Sequence, residues 1–110
     1  MDTPDALSAL SALSQEARLN AFRLLMRAGP TGLPAGEIAT TLGARQNTMS
    51  TNLSILQHAG LITSTREGRS IRYHANLDGI RGLLGFLVED CCGGQPEQCQ
   101  PLLSQIACPC

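Results

Sequence analysis

Stop signals divide the first sixty residues of this chain: Gly29-Pro30, Gly43 and Gly60 each close a run of helix-spaced apolar residues. Glycine takes up the left-handed turn that ends a helix, and proline cannot continue one. A chain punctuated in this way folds as short helices packed side by side. The core must come from Leu, Ile, Ala and Met, because aromatics are 3% of the chain and Trp is absent. Such a core suits helix packing better than a large β-sandwich. At 110 residues it amounts to one domain with a modest core.

The first helix is expected over residues 5 to 12 (DALSALSA), and the second in SQEARLNAFRLLMRAG, with Ser14 as its N-cap and Glu16 in its first turn. Ala17, Leu19, Phe22, Leu24 and Leu25 cover much of its circumference, which marks it as the central buried helix. AGEIATTLG is a third, short helix. In the fourth, QNTMSTNLSILQHAG, Met49, Leu53 and Leu56 form a buried stripe. Asn47, Ser50, Thr51, Ser54 and His58 fall on the opposite face, which is polar, short-chained and free of acids. An ordinary solvated face would carry Glu and Lys.

LITSTREGRSIRYHA follows, with two β-branched runs around Glu67-Gly68, a hairpin signal. Ile71 and Tyr73 alternate with Arg72 and His74, so the arginines and His74 are expected to face outward. A last helix runs from about Leu77 to Asp90, capped by Asn76, with Leu77, Ile80, Leu84, Leu87 and Cys91 at helical spacing. Gly79, Gly82 and Gly85 leave room for a close helix, and the expectation is a face for a partner helix.

Charge distribution decides more than net charge, which is −1. Every basic residue is Arg; Arg66, Arg69 and Arg72 cluster in the hairpin and Arg45 lies upstream, while Asp78, Glu89, Asp90 and Glu97 gather near the C-terminus. A basic stripe on a neutral chain is an electrostatic footprint for nucleic acid. Helix, glycine turn, polar-faced helix and basic hairpin make the layout of a winged helix-turn-helix. The expected fold class is mainly α with a small β-hairpin. The fourth helix would enter the major groove, where Asn, Gln, Ser and Thr match base edges, and the hairpin arginines would meet phosphates or an adjacent minor groove.

All five cysteines lie in the last twenty residues: Cys91, Cys92, Cys99, Cys108 and Cys110. MDTPDALSAL has no basic n-region, and no apolar run approaches the ~18 residues that cross a bilayer, so the expected location is cytoplasmic. There, five thiols read as reduced or metal-bound and not as a disulfide framework. Cys91 also lies on the apolar stripe, where it would serve as plain core; Cys92, Cys99, Cys108 and Cys110 stand in Gly-, Pro- and Gln-rich sequence. Soft thiolates suit trivalent arsenic and antimony, which take three sulfurs in a pyramid, and also Zn and Cu(I). A tetrahedral zinc site would need a fourth ligand, from Cys108 or Cys110. Oxidation of Cys91 or Cys92 with Cys99 is a further possibility. No Cys-x-x-Cys opens a helix and no phosphate-cradling glycine loop occurs, so enzymatic activity is not expected.

SQEARLNAFRLLMRAG, GEIATTLG, NTMSTNLSILQHAGLI and REGRSIRYHA, in this order and spacing, resemble the arsenical-resistance-repressor (ArsR-type) family of bacterial metalloregulators over residues 6 to 90. The resemblance implies a homodimer joined through its first and last helices, bound to an inverted-repeat operator until a metal or metalloid releases it. It implies base-reading positions at Gln46, Asn47, Thr48, Ser50 and Thr51, and a wing carrying Arg66, Arg69 and Arg72. Arg45 departs from the pattern, standing where the family often has a Ser N-cap. The family's Cys-x-Cys arsenic site at the third helix has no counterpart in LPAGEIATTL, and its last-helix zinc site lacks a His. Cys91, Cys92 and Cys99 look like a third family pattern, a Cys-Cys pair ending the last helix and a cysteine shortly after. The expected organisation is therefore a DNA-binding and dimerisation domain over 1–90 and an inducer-binding tail over 91–110, with As(III) or Sb(III) as inducer.

Overall fold

A computed structural model describes residues 1–89 and, beyond them, Pro101, Ser104 and Gln105. The elements run α1 (Thr3–Leu13), α2 (Glu16–Ala28), a 3-10 turn (Gly29–Thr31), β1 (Leu33–Pro34), α3 (Ala35–Leu42), α4 (Gln46–His58), β2 (Ile62–Glu67), β3 (Ser70–Ala75) and α5 (Leu77–Leu87). All four expected helix stretches before the hairpin form. Gly29, Gly43 and Gly60 each stand at positive φ just past a helix. Gly43 is left-handed, and its amide and that of Ala44 close α3 onto the carbonyls of Thr40 and Ala39.

The core is aliphatic, as the composition requires. Leu25, Ile38, Met49, Leu53, Leu56, Leu61 and Ile62 are its largest fully buried side chains. They come from α2, α3, α4 and the entry to β2, so the helix-turn-helix and the hairpin share one core. Burial of each such side chain contributes roughly 1.5–3 kcal/mol. Tyr73 closes the core from the sheet, while Ile71 stays at the surface.

Helix α1 joins this core through Ala6, Ala9 and Ala12, three small residues on one face. Of its three leucines, Leu7 and Leu10 point to solvent and Leu13 packs against the core. Helix α5 buries Leu83 and leaves Leu77, Leu84 and Leu87 exposed. The two helices touch each other.

Several expectations need correction. Ser14 ends α1 instead of opening α2: its Oγ donates to the Ser11 carbonyl at 2.8 Å, and Gln15 is the N-cap, accepting from the Arg18 amide through Oε1 at 2.9 Å. Gln15 can reach the third amide as a shorter Ser would, and Ser14 is better placed to satisfy the last turn of α1. Helix α2 is buried on one side only, through Ala21, Phe22 and Leu25; Leu19 and Met26 are exposed. The hairpin turns at Gly68-Arg69, one residue later than Glu67-Gly68, because Glu67 pairs with Ser70 and Gly68 takes the positive φ. The sheet gains a third strand: β1 pairs antiparallel with β3, Leu33 opposite Tyr73 and Pro34 opposite Arg72, giving the order β1-β3-β2.

The α5 glycines also differ from expectation. Gly79 packs inside the molecule, where a Cβ would collide with the Gly60 carbonyl oxygen. Gly82 faces Met1, and only Gly85 of the three opens onto free space. Asn76 precedes α5 without capping it through its side chain; its Nδ2 donates to the Gly60 carbonyl at 2.9 Å instead. The helix ends at Leu87 and does not reach Asp90. All five cysteines lie outside the described residues.

Candidate nucleic-acid interface

The buried Met49–Leu53–Leu56 stripe fixes the rotation of α4, and that rotation turns Gln46, Asn47, Thr48, Ser50, Thr51, Ser54 and His58 outward together. No acid stands in the first turn of α4. Its N-cap, Arg45, supplies no side-chain hydrogen bond, so the positive end of the helix dipole stays open toward any anion nearby. Asn47 is partly spoken for: Oδ1 accepts from the Thr48 amide at 2.9 Å, and its carbonyl accepts from Thr51 Oγ1 at 3.2 Å. Gln46 and Ser50 make no side-chain hydrogen bonds among the described residues.

The hairpin lies beside this face. Gln46 and Ser50 of α4, Glu67, Arg69, Ser70 and Ile71 of the hairpin, and Ala35-Gly36 of α3 line one open groove. The wing and the polar helix face thus border the same groove. Of the three wing arginines, Arg69 sits at the loop tip and has no hydrogen-bond partner among the described residues. Arg66 Nε reaches the Gly68 carbonyl at 3.4 Å, within the same hairpin. Arg72 is engaged: Nε donates to Glu67 Oε1 at 2.8 Å, and Nη1 to the carbonyls of Thr31 and Gly32 at 3.2 and 3.3 Å. His74 turns its Nδ1 to the Pro30 carbonyl at 3.2 Å, away from a role in the groove.

One polar residue of α4 escaped the sequence pattern. Asn52 is buried, with Oδ1 accepting from Arg18 Nη1 at 3.4 Å, while Arg18 Nε donates to the Ala12 carbonyl at 2.7 Å. Arg18 thereby ties the end of α1, α2 and α4 together. Its signal was present in the spacing, since Asn52 follows Met49 by three and precedes Leu56 by four, within the buried stripe.

Among the described residues no group of three or more His, Cys, Asp or Glu is placed to hold a metal ion. The candidate ligands Cys91, Cys92, Cys99, Cys108 and Cys110 lie beyond them. Among the described residues no helix is long and apolar enough to cross a membrane.

A helix-turn-helix domain model matches residues 13–65. The HTH-type transcriptional regulator NmtR of Mycobacterium tuberculosis (strain ATCC 25618 / H37Rv) is 39% identical over 66 residues, 60% of this chain and 52% of that protein. The chain spans about half the length of the curated relatives it matches. Among solved structures, an ArsR-like transcriptional regulator from Rhodococcus sp. RHA1 superposes with a TM-score of 0.70 at 27% identity, over 97% of this chain and 96% of that one. In fold and sequence the chain is similar to ArsR-like regulators with a winged helix-turn-helix. A homodimeric winged helix-turn-helix DNA-binding domain from Mycobacterium bovis is similar to it as well, with a TM-score of 0.64 and 27% identity over 79% of this chain and 81% of that domain. In ArsR-like terms α3 and α4 are the helix-turn-helix and the β2–β3 hairpin is the wing, and both lie at the groove built from the residues above.

Proposed function

We propose that this chain is a transcriptional repressor that binds operator DNA as a homodimer and is released by trivalent arsenic or antimony held on Cys91, Cys92 and Cys99. The observation that carries the DNA reading is the groove in which Gln46 and Ser50 of an acid-free helix face stand beside Arg69 of the wing tip, which has no hydrogen-bond partner among the described residues. Gln46, Asn47, Thr48, Ser50 and Thr51 read base edges in the major groove, and the wing meets the backbone. The leucines that α1 and α5 leave exposed support pairing of two copies through these helices, with Leu7 61% and Leu87 53% exposed in the single chain.

Three thiols bind As(III) by displacing its three hydroxides as water. Such an ion would tie residues 91–99 to the end of α5 and bias the dimer between two spacings of its recognition helices. Half-site spacing is geometrically strict, so a coupling of ~1–3 kcal/mol would shift operator affinity about five- to 150-fold.

The test is titration of the reduced protein, bound to labelled DNA from upstream of its own gene, with arsenite, antimonite, zinc and peroxide in parallel. Release by the metalloids alone, lost in Cys92→Ser and Cys99→Ser, is expected. Release of those variants at the wild-type metalloid concentration would remove the cysteine site. Release by peroxide, reversed by a thiol reductant, would make the chain a redox repressor on the same scaffold. A chain that binds no DNA would overturn the repressor reading as a whole.

A further inference from the structure

The three wing arginines do not have the same surroundings. Arg72 leaves β3 opposite Thr65, and Glu67 lies two residues farther along β2 on the same face, a diagonal neighbour within reach of a long side chain. The guanidinium meets Glu67 at 2.8 Å and then spans to the Thr31 and Gly32 carbonyls on the turn after α2. Its side chain is 28% exposed. The turn that offers these carbonyls is itself fixed: Gly32 holds φ +66, and a Cβ there would meet the Tyr73 carbonyl and, at 2.6 Å, the His74 ring. Three of the five N–H donors of Arg72 are committed to a carboxylate and two carbonyls, which leaves only those of Nη2 for a phosphate. Arg69 has no such commitment among the described residues, and it lines the groove with Gln46 and Ser50.

We propose that Arg72 is a positioning residue that braces the wing against the Thr31–Gly32 turn, and that Arg69 is the wing's phosphate contact. This deepens the DNA-binding reading above and rests on it. Arg72 acts through Arg69, by holding the hairpin tip where the groove needs it.

The test has two arms. In the first, affinity for operator DNA is measured by fluorescence anisotropy across a salt series for wild type, Arg69→Gln, Arg72→Gln and the double variant. Losing a direct phosphate contact lowers the slope of log affinity against log salt by about 0.9, which is expected of Arg69→Gln. Arg72→Gln weakens wild-type binding, yet in the Arg69→Gln background it adds less than about twofold, the mark of two residues acting through one contact. Losses that multiply fully would make Arg72 an independent contact and overturn the proposal. In the second arm, amide hydrogen exchange at residues 68–70 is followed in the DNA-free protein. Arg72→Gln, and Glu67→Gln, which leaves the arginine intact, are expected to speed it roughly threefold to tenfold, with Arg69→Gln unchanged. Unchanged exchange in both would overturn the brace. A wild-type chain that bound no DNA would instead refute the repressor reading, and the exchange arm would still decide the brace.

Discussion

Replacing Gly79 by Ala sets two effects of opposite sign against each other. On helix propensity alone, Gly→Ala in a helix interior stabilises by roughly 1 kcal/mol. At Gly79, however, the new methyl would run into the carbonyl oxygen of Gly60, which is backbone and cannot swing aside. That oxygen also accepts from Asn76 Nδ2 at 2.9 Å, so moving α5 away strains or breaks this bond. Overpacking of this kind typically costs 1–3 kcal/mol and a lost hydrogen bond about 0.5–1.5 kcal/mol, together more than the propensity gain. The expected net is a loss of roughly 2 kcal/mol, or a fall of about 10 °C in Tm for a domain of this size. Gly85→Ala is the internal control. A Cβ at Gly85 meets nothing within 4 Å, so propensity acts alone and the variant gains up to about 1 kcal/mol. Thermal unfolding of both variants at several protein concentrations makes the comparison independent of dimer dissociation. A Gly79→Ala protein as stable as wild type would refute the close approach of α5 to Gly60.

Arg18→Ala should destabilise the fold by about 1–3 kcal/mol in denaturant unfolding, because it leaves the buried Asn52 amide and the Ala12 carbonyl without their charged donor; a change below about 0.5 kcal/mol would remove the tie between α1, α2 and α4. Gln46→Ala and Ser50→Ala should each reduce discrimination between operator and mismatched sites by about 1–3 kcal/mol without altering the salt slope, measured by competition binding. A uniform loss across all sequences would make them backbone contacts.

Much of the fold was legible because its signals are local. The stripe of α4 appears in the sequence as a period, and Gly43 and Gly60 as stops, and all of these stand in the structure. What pattern could not supply is which distant group arrives. Asn52 is polar, and its partner Arg18 lies 34 residues away. The alternation of β3 turned Arg72 off the core face, but the carbonyls it bridges are 40 and 41 residues upstream. Small residues in α5 announced a close neighbour, and the neighbour proved to be Gly60 of the same chain at Gly79. A two-residue strand such as Leu33–Pro34 is too short to show any alternation. For the cysteines the sequence offers chemistry alone: five thiols in a spacing that would suit a soft ion, all of them outside the described residues.

The junction of α4 with α5 bears on how an inducer would act. Asn76 donates its amide to the Leu61 carbonyl and its Nδ2 to the Gly60 carbonyl, both at 2.9 Å, and Gly79 lies against the same Gly60 carbonyl. The start of α5 is therefore pinned to the C-terminal end of the recognition helix. Its other end stands 11 residues away, about 16 Å along the axis. A force applied at that far end, where Cys91 and Cys92 follow in sequence, would act on α5 as on a lever with its start fixed, against the hold of the buried Leu83. Its effect would fall on Leu84 and Leu87, which α5 leaves exposed and through which two copies would pair. The inducer would then change the distance between the recognition helices of two subunits while leaving each subunit's α4–α5 corner intact. Spin labels on the exposed Gln57 positions of the two subunits should shift their separation on arsenite binding. A label pair within one subunit, at Gln57 and Asp78, should not. A fixed distance between subunits, with operator release still observed, would refute the lever and place the switch inside the subunit.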